Sequence, residues 1–291
     1  MRWRSVGRGG GVEVGMDKQK LRRLLVGDFS FRRCLRSLVF VYVVVAAYVY
    51  GVSNGMIFAA RPSSYADSGD MVKIPVRGGG AVTALHLVDS NALFTVLYSH
   101  GNAEDLGELR PYLEDYRARG FSVMAYDYQG YGTSGGRPTE ANTYRDIEAV
   151  YAYLVEELRI PAERILAHGR SVGAGPSTYL ASRKPLGGLI LESPFTSAFR
   201  VVLPFRIFPF DRFPNLRRMG SVTCPVLVIH GAADTTIPIW HGKALYAAAR
   251  EPKQCRWVDG ADHNDLVWAG EAYWGAVTEF RDTKAGTKIG R

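Results

Sequence analysis

The stretch Arg164–Gly175, RILAHGRSVGAG, constrains the fold more than any other part of the chain. A short apolar run, Ile165-Leu166-Ala167, leads into Gly169-Arg170-Ser171-Val172-Gly173, which has the form G-x-S-x-G. That spacing predicts a strand that breaks sharply into a helix, with Ser171 at the tip of the turn. A serine held in a strained backbone leaves little room for neighbouring Cβ atoms, and glycine on either side removes them. Gly175, just inside the expected helix, would let that helix pack close to the sheet. The pentapeptide alone is a weak signal, so the remainder of the chain must supply its context.

That context is an alternation of strands and helices. Met71–Arg77 and Ala81–Val88 read as a hairpin joined by Gly78-Gly79-Gly80, and Leu93–Ser99 as a buried strand ending in His100-Gly101-Asn102. Glu104–Arg119 has helical spacing closed by Gly120, Phe121–Tyr126 is strand-like, and Thr139–Leu158 is helical. Beyond the elbow, strand-like Gly188–Leu191, Val226–Ile229 and Arg256–Val258 are separated by helical His241–Arg250 and followed by Tyr273–Arg281. The pattern predicts the α/β class, with a mostly parallel sheet covered on both faces and ligands at the carboxyl ends of its strands.

A serine hydroxyl is a poor nucleophile near neutral pH and needs a base. Val226–Ile229 is followed by His230-Gly231-Ala232-Ala233-Asp234, and Arg256–Val258 by Asp259-Gly260-Ala261-Asp262-His263. Ser171, Asp234 and His263 thus occur in the chain order Ser, acid, His, each in a post-strand loop. In that arrangement His263 takes the serine proton and Asp234 holds its tautomer. His86, His168, His230 and His241 read as structural; Asp262 and Asp265 lie too near His263 in sequence to orient it. Amide donors for a developing oxyanion would come from Val172 and from the early loop, through the backbone of Asn102 or of its neighbour Ala103. His100 is expected to shape that loop. Gly130-Tyr131-Gly132-Thr133-Ser134-Gly135 matches G-x-G-x-x-G, but Gly136-Arg137-Pro138 intervenes before any helix, so it reads as a tight loop rather than a dinucleotide site.

Residues 1–36 carry ten Lys/Arg against three acidic residues, which leaves the remainder of the +8 chain near neutral. The charge therefore gives no argument for nucleic acid, and 1–36 is expected to be a disordered basic tail. Residues 37–60 contain no charge; as a helix they would extend roughly 36 Å, enough for a bilayer core of about 30 Å. A transmembrane anchor competes here with a buried core helix, a cleaved signal peptide and a mitochondrial presequence. Arg32, Arg33 and Arg36 before the span outweigh the sparse Arg61 and Lys73 after it, which predicts a single pass with a cytoplasmic N-terminus. The lack of an N-x-[ST] sequon after residue 60 pulls weakly the other way. Cys34 could be S-acylated or an ordinary thiol. Three cysteines make no disulfide framework, although Cys224 and Cys255 begin what could be neighbouring strands. No spacing supports a metal site, and no metal or organic cofactor is expected.

With these residues assembled, the chain resembles the α/β-hydrolase superfamily over about residues 71–281 of an expected catalytic domain, 61–291. The likeness rests on YSHGNAEDLG (98–107), YDYQGYGTSGG (126–136), GRSVGAG (169–175), SPF (193–195), VLVIHGAADTTIP (226–238) and GADHND (260–265). It implies a small cap and a Ser171–Asp234–His263 serine-hydrolase triad. The wording, FDRFPNL (210–216) included, is especially similar to the abhydrolase-domain protein depalmitoylases, which cleave palmitoyl thioesters from cytoplasmic proteins. Those enzymes have a cysteine-rich N-terminus, where this chain has one cysteine and an apolar span; related single-pass members have an exoplasmic domain. The resemblance implies an acyl ester or thioester substrate, an S-acylated protein among the candidates, and association with a membrane. Phe205 and Phe208, in an aromatic and arginine-rich stretch from 195 to 218, could line an acyl pocket or simply pack the cap.

Overall fold

The computed structural model describes residues 30–203 and 205–289. The expected basic tail lies largely outside them. The first helix, α1, runs Phe31–Ile57, so it starts earlier than the expected span and takes Arg32, Arg33 and Arg36 into its first turns. It is long and apolar enough to cross a membrane by length and composition. The described residues divide into two compact units between Gly51 and Val52, and the last turn of α1 belongs to the second.

The second unit is built on one eight-stranded sheet: β1 (Met71–Pro75), β2 (Ala81–Leu87), β3 (Thr95–Ser99), β4 (Ser122–Tyr126), β5 (Ile165–Arg170), β6 (Gly188–Glu192), β7 (Val226–Gly231) and β8 (Lys253–Val258). Their spatial order is β1-β2-β4-β3-β5-β6-β7-β8. Only the pairings of β1 with β2 and β2 with β4 are antiparallel; β4-β3-β5-β6-β7-β8 are all parallel. The antiparallel hairpin turns at Gly78, Gly79 and Gly80, whose φ angles of 100°, 101° and 85° a residue with a Cβ rarely adopts.

Helices cover both faces, as parallel strands require. Side chains alternate across the sheet. Leu97, Ala167, Leu189 and Val228 point into a core shared with Ile147 of α3 (Glu140–Ala152) and Leu180 of α4 (Ala174–Ala181). Val96, Leu166, Ile190 and Leu227 enter a second core with Leu109 and Leu113 of α2 (Leu106–Ala118) and Val277 and Phe280 of α8 (Glu271–Ile289). Helix α3 is shorter than its apolar spacing suggests: residues 153–157 widen into a turn closed by Leu158 N–H donating to Tyr153 O. Two short helices, α5 (Ala198–Val202) and α6 (Asn215–Met219), form the cap between β6 and β7, and α7 (Trp240–Ala248) follows β7. Cys255 lies opposite Val228 rather than Cys224, and no disulfide joins the two.

Candidate active site

The central strand β5 delivers Ser171 at its carboxyl end, and Ser171 has φ +52°. A left-handed serine there costs about 1–3 kcal/mol, so the surroundings must hold it. They do so by contact. A Cβ at Gly169 would fall 2.3 Å from Gly173 O, and one at Gly173 would fall 2.0 Å from Ser99 O and 2.8 Å from His100 O. The elbow is thereby pressed against the end of β3. Gly175 plays a different part from the one expected. A Cβ there would meet the Phe213 ring at 2.2 Å, so this glycine admits a cap residue rather than bringing α4 to the sheet.

The other two members of the sequence pattern arrive on adjacent loops. Gly231 lies so close to the β8 loop that a Cβ would be 2.3 Å from Ala261 O, and Ala233 N–H donates to Ala261 O at 3.0 Å. These contacts join the loop carrying Asp234 to the loop carrying His263. His263 Nδ1 is 2.8 Å from Asp234 Oδ2, and His263 Nε2 is 3.0 Å from Ser171 Oγ. A proton on Nδ1, donated to the carboxylate, leaves Nε2 to accept from the serine. Asp262 and Asp265 serve the loop instead. Asp262 accepts from the Thr235 and His263 amides, and Asp265 from the Asp262 amide.

Asp234 is also better supplied than the pattern implies. Its carboxylate accepts from Thr236 N at 3.0 Å and Ile237 N at 2.7 Å, and His230 Nε2 lies 3.2 Å from Oδ2. Burial pushes its pKa up, but the hydrogen bonds from His230, His263 and the Ile237 amide outweigh that and hold it well below the usual carboxylate range. Reading His230 as a structural histidine misses this link. The four-residue separation from Asp234 is visible in the sequence, but the spacing runs from the end of β7 into a loop, which fixes no geometry. His168 does play a structural part, buried between Tyr116 and Glu192. His241 accepts from the Thr196 amide; burial, with His230 and Arg200 nearby, lowers its pKa to about 4.

Arg170, one residue before Ser171, escaped the sequence pattern altogether. Its guanidinium pairs with Glu104, donates to Asn264 Oδ1 at 2.9 Å, and lies 3.2 Å from Glu192 Oε1. Glu104 in turn accepts from Gly101 N at 2.8 Å. One side chain thus bridges the elbow, the loop after β3 and the residue following His263. Burial favours the neutral form of Glu192, yet the hydrogen bond from His168 and the Arg170 charge lower its pKa. The variable position of a G-x-S-x-G motif carries no local signal for such a role.

The loop after β3 stands against the elbow through the Gly173 contact. Asn102 turns its side chain to the chain segment before β1: Nδ2 donates to Ile57 O at 2.7 Å and Oδ1 accepts from Ala59 N at 2.8 Å. Ala103 N–H is taken up by Asn102 Oδ1 at 3.1 Å, which favours the Asn102 amide over that of Ala103 as a donor to substrate. Val172 lies in the helical turn Ser171–Gly173 that leads into α4. Residues 130–135 close on themselves, with Gly130 N–H donating to Gly135 O, and α3 begins only after Thr139. In the cap, Phe205 is 63% exposed, whereas Phe208 stacks on Phe210 with ring centroids 5.4 Å apart and meets Phe199 edge-on. Neither ring is placed against Ser171 by these contacts.

Residues 90–208 match the family described as serine aminopeptidase, S33. The human alpha/beta hydrolase domain-containing protein 17B is 42% identical over 184 residues, 62% of this chain and 64% of that protein. The Caenorhabditis elegans alpha/beta hydrolase domain-containing protein aho-3 is 41% identical over 201 residues, 67% of this chain and 59% of its own length. The chain therefore spans less than two thirds of these curated relatives. Among solved structures, an esterase of Pyrococcus furiosus superposes with a TM-score of 0.65 at 20% identity, covering 77% of this chain and 99% of the esterase. The esterase domain of a Rhodothermus marinus protein gives 0.57 at 19% identity, covering 72% and 97%. The chain thus has the α/β-hydrolase fold and resembles in sequence the alpha/beta hydrolase domain-containing proteins 17.

Proposed function

We propose that this α/β-hydrolase is a membrane-anchored serine hydrolase of acyl esters or thioesters, with palmitoyl groups on protein cysteines as its leading substrate. The observation that carries the reading is the continuous relay from Ser171 Oγ through both nitrogens of His263 to Asp234, with steps of 3.0 Å and 2.8 Å. Ser171 Oγ attacks the carbonyl carbon while its proton passes to His263 Nε2, and the carbonyl oxygen becomes an oxyanion facing the Asn102 and Val172 amides. The tetrahedral adduct collapses, the imidazolium protonates the leaving alcohol or thiol, and an acyl-enzyme remains. Water then adds to that acyl carbon, giving its proton to His263, and the free acid departs as Ser171 recovers the proton. A thiolate needs less help to leave than an alkoxide, since a thiol has a pKa of about 8.5.

The resemblance to the alpha/beta hydrolase domain-containing proteins 17 and the apolar helix α1 support the membrane and acyl parts of this reading. The test is a fluorophosphonate probe together with a palmitoyl-cysteine peptide. Wild-type chain should label and release palmitate, and Ser171→Ala should do neither. Labelling that survives the substitution rules the mechanism out. A second reading, an exoplasmic lipid esterase or amidase, draws on the arginines preceding the apolar stretch. Protease protection of the C-terminus in sealed microsomes separates the two, because a depalmitoylase of cytoplasmic proteins must be digested.

A further inference from the structure

The chain between α1 and β1 is built into the rim of the candidate site. Phe58 is buried, its ring edge-on to Tyr131 and to Phe213 of the cap, with centroid distances of 6.5 Å and 6.0 Å. Beyond it, the Ala59 amide and Ile57 carbonyl clamp both ends of the Asn102 side-chain amide, and Tyr131 OH donates to the same Oδ1 at 2.7 Å. Ser64 binds Asp105, the N-cap of α2, through its amide at 2.6 Å and its hydroxyl at 2.5 Å. Tyr65 OH donates to Asp127 Oδ2 at 2.5 Å; the other carboxylate oxygen of Asp127 accepts from Leu106 N and lies 3.3 Å from His100 Nε2.

One glycine is shaped to receive this segment: a Cβ at Gly107 would stand 2.4 Å from Ser64 Oγ and 3.0 Å from Tyr65 Cβ. Gly132 makes room first for Asp127, whose Oδ2 would lie 1.9 Å from a Cβ there, and then for the Tyr65 hydroxyl bound to it, 2.7 Å away. A passing linker would not need the accommodation at Gly107. The hydrogen bonds of Ile57, Ala59 and Ser64 go to Asn102 and Asp105, in the loop held against the elbow, and that of Tyr65 to the Asp127 carboxylate behind His100. Burial, and the Asp127 charge after it, raise the Tyr65 pKa, so the phenol stays protonated as a donor throughout the neutral range.

We infer that residues 57–65 are a positioning strap for the catalytic site: they fix the His100–Asp105 loop so that the Asn102 amide meets the developing oxyanion. The inference rests on the serine-hydrolase reading. An oxyanion donor acts chiefly in the transition state, and loss of such a donor lowers the rate by about 10²–10³. Loosening the loop without removing the donor should cost less. Tyr65 and Ser64 act through Asp127 and Asp105, so they are positioning residues.

The experiment uses the full chain in detergent or nanodiscs, comparing wild type with Tyr65→Phe, with Ser64→Ala and Tyr65→Phe together, and with Ser171→Ala. A short-chain p-nitrophenyl ester gives kcat and KM, a fluorophosphonate gives the labelling rate, and thermal melts show that each variant is folded. The expected result for the double variant is a fall in kcat of about tenfold with KM within about twofold, matched by equally slower labelling. Tyr65→Phe alone, which removes one hydroxyl group, should show the same pattern at smaller amplitude. Wild-type kcat and labelling in both variants, whatever their melting temperatures, would make the strap purely structural and overturn the inference. A raised KM at unchanged kcat would overturn it too, because the segment would then contact substrate directly. Ser171-dependent labelling that is indifferent to the strap defeats this inference alone; a wild-type chain that neither labels nor hydrolyses defeats it together with the hydrolase reading.

Discussion

The elbow and the cap lie on the same chain within fifty residues of each other, yet they are held by opposite means. At the elbow, Gly169 and Gly173 approach backbone atoms so closely that any Cβ would collide, and Ser171 sits at φ +52° because nothing around it can shift. In the cap, Phe199, Phe208 and Phe210 form a cluster of rings, while Val202 and Phe205 are 77% and 63% exposed. Backbone against backbone admits one solution; ring against ring admits many of nearly equal energy. Under the proposed function, chemistry belongs to the first region and substrate preference to the second, where it can vary without disturbing the elbow.

The sharpest way to break that comparison is at the nucleophile. Ser171→Ala should lower kcat/KM by about 10⁴ or more, and adding His263→Ala to it should lower it little further, since the two act as a unit. Steady-state ester hydrolysis checks both. Asp234→Asn follows, with an expected loss of about 10³–10⁴ in kcat, because the amide would favour the wrong imidazole tautomer. A fall of only a few-fold would show that His263 is oriented by something else.

Gly173→Ala tests the elbow as architecture. The added methyl would lie 2.0 Å from Ser99 O, and the expected result is a destabilisation above about 3 kcal/mol, read from denaturant melts. The same change in the cap, at Gly220, meets no atom within 4 Å and should shift stability by less than about 1 kcal/mol.

The pH response gives a smaller effect with a definite sign. Because the folded pKa of Asp234 is lowered, its ionised form adds stability above the unfolded value of about 4, and that stability is lost as the pH falls through the folded pKa. Thermal melts between pH 3 and 7 should therefore show a shallower acid decline for Asp234→Asn than for wild type. Least of all, Phe205→Ala should change stability by under about 0.5 kcal/mol, given its exposure, while moving preference toward shorter acyl esters. An unchanged chain-length profile for both Phe205→Ala and Phe208→Ala would leave the cap aromatics with packing alone.

Much of the fold is legible in the amino-acid order. Ser171 and Asp234 stand out because each follows an apolar strand, and His263 because it follows the short strand-like run Arg256–Val258; strand and turn signals are local. The shortening of α3 was not legible, since the apolar spacing of residues 139–158 continues through the widened turn that closes at Leu158. Nor was the partner of Gly175: whether a missing Cβ faces a sheet or a Phe213 ring depends on where a loop nearly forty residues away returns.

What the amino-acid order determined alone is the succession of strands, the glycine-flanked turn and the order of Ser171, Asp234 and His263 in the loops after them, because these are properties of neighbouring residues. What only the tertiary structure decided is which side chains support them: Arg170 bridging to Glu104 and Asn264, His230 beside Asp234, and Tyr65 behind His100 through Asp127. Apart from His230, at the end of β7 and four residues from Asp234, these partners lie far apart in sequence; the parallel register brings the strand ends together at one edge of the sheet, and the segment before β1 brings Tyr65 to them. Spacing along a chain carries no record of such meetings; burial, which makes every unpaired polar group costly, is what selects them.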